Sequence, residues 1–504
     1  MPAVDRDGPQ QILVAHSRST HKAADQGGTY RVSRATGQFP TPLEIARAMA
    51  AWVEPPSDSS EIRILDPGSG EGVLSETLVQ SLVSVRHGLR LFVDAYEIDE
   101  RLASATTKAL GRLTATAKTA GSNLEFRVHV SDFVTDWEDG GPSLEGSPAR
   151  FDVVIQNPPY SKLRRGAPQS TGAVDLVYGQ PNLYALFLAK AARQLKTGGQ
   201  MVAIVPRSWL SGAYFKRMRI DFLRRMALDR IHAFETRGEA FRKDSVLQET
   251  IIFHAKRVNG SPRPHVELST SKGCADLGRP TRFGLPWTFL CPKGAENQIR
   301  LPESIFQIAA LRELDSYSDR LRTLGLRVST GPVVGFRSRG DLVEDPSETS
   351  RHVPIIWLED VSRGRLLWND SADRRHPAYL QRCATTEKLI LPGEDMVLVR
   401  RFSAKEDRFR VIACHIRASE LGPSVAVENK VNVIRGFHGR GGTRAAKAVC
   451  WYLNSEIVDQ YVRAVSGTTQ VNAYELDALP FPPMDTLEDR LDLKTQDELR
   501  LEAA

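Results

Sequence analysis

Asn157-Pro158-Pro159-Tyr160 places an amide, two prolines without an N–H and a phenol within four positions. The quartet follows Phe151 to Ile155, an apolar run that reads as a buried strand stopped by the double proline. The Asn157 side-chain oxygen and the Pro158 carbonyl can each take one hydrogen of an –NH2 group. Two such bonds draw the nitrogen toward sp3 character and expose its lone pair. Tyr160 offers a flat face on which an unpaired base could stack. The plain alternative is a proline-rich turn after a strand. The residues upstream have to decide between the two.

Those residues read as a cofactor loop. Asp66-Pro67-Gly68-Ser69-Gly70-Glu71-Gly72 lies between a strand-like run, Ile62 to Leu65, and a helix-like segment from Val73. Glycines there allow a sharp turn and close approach of a ligand, and the helix start adds free N–H donors. The spacing is G-x-G-x-G, not the G-x-G-x-x-G of a pyrophosphate loop. That favours a nucleoside without phosphates, and S-adenosylmethionine fits. Glu97, at the end of the next strand, can accept from both ribose hydroxyls. Asp132, with Phe133 beside it, ends a third strand. The carboxylate could accept from an adenine amino group and the ring could pack on its face. Each acid alone could equally be a solvated strand end or a helix cap.

The elements that must position these residues alternate from about Thr36 to Lys256. Strands are expected at Ile62–Leu65, Leu91–Tyr96, Leu124–Val130, Phe151–Ile155, Met201–Val205, Leu228–Phe234 and Gln248–His254. Leu183, Leu186, Phe187 and Ala191 share one helical face, and Gly198-Gly199 is expected to close that helix. Alternation of this kind makes an α/β sheet, and ligands of such sheets bind at the carboxyl ends of the strands. The expected divisions are a flexible arm over 1–35, a catalytic domain over 36–257, a second domain over 258–485 and a charged tail over 486–504. The Gly/Pro-rich stretch 256–264 serves as the linker.

The 504 residues suffice for two or three domains; 41% are hydrophobic and 25% charged, as in ordinary globular proteins. A net charge of +6, from 67 basic and 61 acidic side chains, permits a nucleic-acid partner without requiring one. The five cysteines are widely spaced, which speaks against disulfides and against a zinc site. No metal is expected. No secretory leader and no run of 18 apolar residues is visible, so a membrane partner is not expected either. Residues 400–417 carry six basic and two acidic side chains with Phe402 and Phe409 among them, a composition suited to phosphate contact.

With these segments in hand, the chain resembles the amino (exocyclic) DNA methyltransferases over about residues 36–256. The resemblance rests on LDPGSGEG, YEID around Glu97, SDF around Asp132, QNPPY, PNLYALFLAKAARQLKTGG and VPRSWL. The linear order is that of the γ class. It implies a Rossmann-like S-adenosylmethionine-dependent methyltransferase domain followed by a mixed α+β target-recognition domain. It also implies that Thr41-Pro42 touches the methionine end of the cofactor, with Asp66, Gly68 and Gly70 in the cofactor loop. Phe241 would be a second aromatic on a flipped base, opposite Tyr160. The C-terminal half is similar to the BsuBI/PstI-type adenine methylases, through GPVVGFRSRGDL, LVRRFSAKEDRFR, VENKVNVI and SGTTQVNAYELDALPFP. That similarity implies double-stranded DNA as partner, adenine N6 as acceptor, CTGCAG as site, a separate cognate restriction endonuclease and a bacterial cytoplasm. Arg337, Arg339, Arg400 and Arg401 are the candidates for DNA contact.

Three alternatives share part of this pattern. Protein-glutamine and ribosomal-RNA guanine methyltransferases also use N-P-P-Y, but without a long C-terminal domain. Cytosine-N4 enzymes usually carry Ser where Asn157 stands. Cytosine-C5 enzymes need Pro-Cys, a dipeptide absent here. A non-catalytic specificity subunit would not need Asn157, Tyr160 and Glu97 intact. The loop 161–180 beside the motif is expected to order when DNA binds.

Overall fold

The apolar runs fold into one mixed sheet of ten strands, in the order β1-β4-β3-β2-β5-β6-β8-β7-β9-β10. The ranges are β1 Leu13–Ala15, β2 Glu61–Pro67, β3 Arg90–Glu97, β4 Asn123–Val130, β5 Phe151–Gln156, β6 Leu195–Pro206, β7 Met226–Phe234, β8 Thr250–Arg257, β9 His265–Ser271 and β10 Thr281–Pro286. The coordinates are a computed structural model. It describes residues 13–15, 38–56, 59–136, 150–164, 166–173, 175–176, 179, 182–235, 249–258, 264–294, 297–344, 351–369, 374–418, 420–436 and 442–492. Two units emerge from the contacts, Met1–Glu303 and Ser304–Ala504.

In the first unit β4, β3, β2, β5 and β6 run parallel, and β8 runs antiparallel between β6 and β7. Helices α1 (Leu43–Ala50), α2 (Val73–Val85), α3 (Glu100–Thr119), α4 (Pro168–Thr171), α5 (Leu183–Gln194), α6 (Lys216–Arg225) and α7 (Trp287–Leu290) accompany them. The central strands are buried along most of their length: β2 alternates only at its start, and Ile62, Ile64, Leu65, Val153, Val154 and Ile155 are all sealed. Continuous apolar runs of this kind are what a parallel sheet covered on both faces requires. The parallel order throws the ends of β2, β3, β4 and β5 onto one edge, and with them the Gly loop, Glu97, Asp132 and Asn157.

Three expectations change. Gly198 and Gly199 do not close α5, which ends at Gln194; they lie inside β6. The β5–β6 register shifts there, and a Cβ on Gly199 would come within 2.8 Å of the Lys196 carbonyl. The glycines therefore serve a strand irregularity rather than a helix end. Leu13–Ala15, inside the expected arm, pairs in parallel with Val128–Val130 of β4. The sheet also runs past the expected boundary at 257. Strand β9 pairs in parallel with β7, β10 closes on β9, and the first unit extends to Glu303. Val266 and Leu268, sealed on the sheet, are what hold the extension in place.

The second unit is mixed α+β. A four-stranded sheet has the order β11-β21-β18-β19 and a five-stranded one β12-β16-β13-β20-β17, with a β14–β15 ribbon beside them. The strands are β11 Leu326–Thr330, β12 Leu342–Val343, β13 His352–Ile356, β14 Val361–Ser362, β15 Arg365–Leu366, β16 Tyr379–Gln381, β17 Ile390–Pro392, β18 Met396–Arg400, β19 Ala413–Ile416, β20 Ser424–Val427 and β21 Val431–Gly436. The helices are α8 Ile305–Leu314, α9 Thr443–Leu453, α10 Glu456–Val465 and α11 Ala473–Ala478. Its core is aliphatic, built on Ile356, Leu398, Val427 and Val433. Among the described residues no disulfide is formed: Cys414 and Cys450 are buried thiols, and Cys274, Cys291 and Cys383 are half-buried.

Candidate active site

The glycine loop leaves β2 with Gly68, Gly70 and Gly72 all at positive φ. The Gly68 and Ser69 N–H groups donate to the Tyr96 carbonyl at 2.8 and 2.9 Å, folding the loop back over β3. Thr106 of α3 donates its hydroxyl to the Gly70 carbonyl at 2.8 Å. A side chain on Gly72 would sit 3.1 Å from the Thr106 Cα, so that residue must be glycine for two reasons. At Gly70 a Cβ would meet no protein atom within 4 Å.

Glu97 ends β3 and is almost fully buried. Its Oε2 accepts from the Gly70 N–H at 2.9 Å, and its Oε1 from Ile98 and Asp99 N–H at 2.8 and 3.0 Å. Burial pushes its carboxyl above the ordinary glutamate range, against the pull of those three donors. Asp132 accepts from the Val134 N–H at 2.9 Å and from the Gln169 side-chain amide at 2.8 Å. The Phe133 ring is sealed between Tyr96, 5.2 Å away, and Phe187, 5.3 Å away. Lys190, itself buried, donates to the carbonyls of Phe133 and Asp136, both at 2.5 Å, and so fastens the turn that carries Asp132.

Asn157 follows β5. Its Nδ2 donates to the Phe39 carbonyl at 2.9 Å and to the Thr41 hydroxyl at 3.0 Å. A carbonyl can only accept, so the amide cannot be turned over: Nδ2 faces Phe39–Thr41 and Oδ1 faces the other way. A cavity of about 560 Å³ opens between these segments, lined by Thr41, Gly68, Gly70, Glu97, Asp132 and Asn157 and closed by apolar side chains such as Leu102 and Phe187. Four carboxylate residues line it, Glu71, Glu97, Asp99 and Asp132, and among the described residues no lysine, arginine or histidine does.

Several expected residues stand elsewhere. Asp66 is beneath the loop and does not line the cavity. Its Oδ2 accepts the Ser75 hydroxyl at 2.6 Å, so it braces the start of α2. Pro42 caps α1, and Pro159 rather than Pro158 reaches the cavity wall. Tyr160 is 6% exposed, packed against Phe39 and Tyr184, with its hydroxyl donating to the Ile204 carbonyl at 3.2 Å. The flat face expected of it is covered in this conformation. Phe241 lies outside the described residues. Conversely, Phe39, Gln169 and Lys190 were not singled out from the sequence, and Phe187 was read only as part of a helical face. Phe187 and Lys190 fall inside PNLYALFLAKA, which offered a signal; Gln169 sits in the short helix α4, in a stretch whose sequence offered none.

In the second unit, Arg337 and Arg339 are exposed. Arg400 and Arg401 are not free for a ligand. Arg400 donates its Nε to the Val361 carbonyl at 2.6 Å. Arg401 reaches the Asn429 carbonyl at 3.2 Å and the side chains of Gln470 and Asn472 at 3.1 and 3.3 Å. Both guanidinium groups tie strands to loops, a use of arginine that composition cannot distinguish from phosphate contact. Among the described residues no group of acids, histidines and cysteines could hold a metal ion.

A run of parallel strands with one antiparallel strand threaded between β6 and β7, a glycine loop after one central strand and an acid after the next define a class. The fold is the Rossmann-like S-adenosylmethionine-dependent methyltransferase fold. The family model "Eco57I restriction-modification methylase" matches residues 89–241. The chain is 32% identical to the type II methyltransferase M.PstI of Providencia stuartii, over 90% of this chain and 88% of that one. Against the type II methyltransferase M.BsuBI of Bacillus subtilis the identity is 29%, with the same coverage. The solved type IIG restriction endonuclease BpuSI overlays with a TM-score of 0.44 and 15% identity, over 90% of this chain and 61% of that one. The chain belongs to the type II DNA methyltransferases of restriction–modification systems.

Proposed function

We propose that the protein methylates N6 of an adenine extruded from duplex DNA, with S-adenosylmethionine as donor. The observation that carries this reading is the fixed amide of Asn157. Both of its N–H donors are spent on Phe39 and Thr41, so its Oδ1 is available as an acceptor at the cavity rim. A fixed acceptor suits an incoming –NH2 group and not a carbonyl.

The cavity supports the cofactor. Four acids and no basic side chain among its described lining suit a cation and not a phosphate. Its volume of about 560 Å³ is in the range of small-molecule sites. Glu97 would hold the ribose, Asp132 the adenine amino group, the Gly68–Gly70 turn the main body, and the backbone of the Phe39–Thr41 segment the amino-acid end. When bound, the cofactor supplies an electrophilic methyl on a sulfonium. Asn157 Oδ1 and the Pro158 carbonyl would hold the substrate amino group with its lone pair directed at that methyl. Positioning and charge complementarity then supply the rate, without a covalent intermediate on the protein. Stacking of the base on Tyr160 requires its ring to be uncovered when DNA binds, and Phe241 is proposed for the opposite face. Arg337 and Arg339 are proposed for DNA contact, Arg400 and Arg401 for holding the unit that presents them. CTGCAG is the proposed site, and a separate endonuclease of the same site the proposed counterpart, in a bacterial cytoplasm.

The test is incubation with labelled S-adenosylmethionine and unmethylated genomic DNA, followed by nucleoside analysis and sequencing of modified positions. Label in N6-methyladenine at one short sequence is expected. Label in cytosine, in protein or nowhere would remove the reading. Asn157→Ala should bind cofactor within a fewfold of the parent while kcat falls by roughly 100- to 1000-fold, the scale of one lost transition-state contact.

A further inference from the structure

The loop joining β11 to β12 is held stiffly and yet exposes an aromatic ring. Gly331 donates its N–H to the Val431 carbonyl at 2.8 Å, and a Cβ there would fall 2.2 Å from the Glu428 carbonyl. Val333 is sealed, bridges Glu428, and exchanges hydrogen bonds with Val427 and Asn429 at 3.0 and 2.7 Å. Gly335 presses on the Trp357 ring, with a Cβ position 3.0 Å from it. Beyond the tip, the Arg337 and Ser338 N–H groups both return to the Val334 carbonyl, and Ser338 is buried. Between these anchors Phe336 is 80% exposed, the most exposed of the large hydrophobic side chains among the described residues.

A lone exposed ring on a mobile loop would need no explanation. This one stands on a clamped backbone, and its neighbours are cations. The Arg337 guanidinium lies 5.5 Å from its ring, and Arg339 is exposed two residues further on. Among the described residues neither arginine has an ion-pair partner. An apolar projection flanked by unpaired guanidinium groups is complementary to one surface in particular, a base stack bordered by phosphates. A protein interface would need a patch many residues wide, which a single ring is not.

We propose that Phe336 is a wedge that enters the base stack of duplex DNA at the methylated site, with Arg337 and Arg339 on the flanking phosphates. The proposal rests on DNA methylation as the function. The ring separates one base step, and the arginines offset the cost of opening it by contact with the backbone.

The experiment uses the full chain and 30-base-pair duplexes centred on the site that sequencing returns, with 2-aminopurine placed at one position after another. Methylation of the unlabelled duplex by the parent protein is scored first, because its failure would remove the DNA reading itself. With that activity in place, binding should raise the fluorescence at one base step other than the target adenine. Phe336→Ala should abolish that rise and weaken binding by roughly 10- to 100-fold. Phe336→Trp should restore both. A mismatch built into that step, which opens it in advance, should recover most of the affinity of Phe336→Ala. Arg339→Ala should weaken binding and flatten its salt dependence while keeping the fluorescence rise. A Phe336→Ala protein with the parent's fluorescence pattern and affinity overturns the proposal. So does a Phe336→Ala defect that the mismatch leaves unchanged.

Discussion

Asp66 shows how much one turn of backbone decides. The sequence puts an acid at the mouth of a glycine loop, and the natural expectation is contact with a ligand. In the structure it is completely buried below the loop, with one oxygen on Ser75 and the other, Oδ1, without a partner among the described residues. Burial pushes its carboxyl up to about 7, and Glu97 nearby adds to the effect. The folded chain therefore holds a proton that the unfolded chain releases near pH 4. Stability associated with the neutral Asp66 is full below about pH 4 and lost as pH rises through about 7. Asp66→Asn removes that loss. Between pH 5 and pH 8 the parent should lose about 3 kcal/mol of stability relative to the variant, read as a falling melting temperature. Parallel melting curves across that range would show that the proton is not held. Strand-end acids look alike in a sequence; whether they face the ligand or the floor depends on dihedral angles two residues away.

At the scale of elements, the strands were legible and their partners were not. Buried parallel strands must be apolar without interruption, so β2, β3, β5 and β6 stand out as runs. The same pattern placed Glu97, Asp132 and Asn157 on one edge before any coordinates. What no local pattern encodes is a contact such as Asn157 to Phe39, 118 residues apart. Nor could it show that α4 brings Gln169 onto Asp132, or that α5 buries Lys190 to fasten the same turn. The Phe39–Thr41 segment deserves a test as an element, because it orients the amide without being part of the motif. Thr41→Val keeps the shape and removes one acceptor. Since one neutral hydrogen bond is worth about 1 kcal/mol, kcat should fall about 5- to 10-fold, with cofactor affinity nearly unchanged. A cofactor affinity that falls as far as kcat would place Thr41 on the cofactor instead of on Asn157.

For the whole molecule, overall charge was a poor guide and connectivity a better one. The net charge of +6 and the basic run near residue 400 suggested a groove-facing surface. Much of that run is internal wiring: Arg400 and Arg401 bond to the protein, and buried Arg410 donates to the Thr468 carbonyl at 2.6 Å. Bond counts of this kind depend on the tertiary fold, so composition could only permit DNA and never locate it. The extent of the sheet was also hidden, because Gly and Pro at 259–264 look like a linker whether or not the chain returns to the same sheet. The return matters to anyone who would rebuild the molecule from interchangeable halves. A splice point at 258 discards β9 and β10 and turns β7 into a raw edge with open hydrogen-bonding groups, a template for aggregation. A splice point after Glu303 keeps β9 and β10 on the sheet. Hybrids that borrow a foreign second unit should be recovered soluble when joined after Glu303 and chiefly as precipitate when joined at 258, read by the soluble fraction after expression. The unit that can be exchanged as a piece is thus shorter than the sequence suggests, and it begins at Ser304.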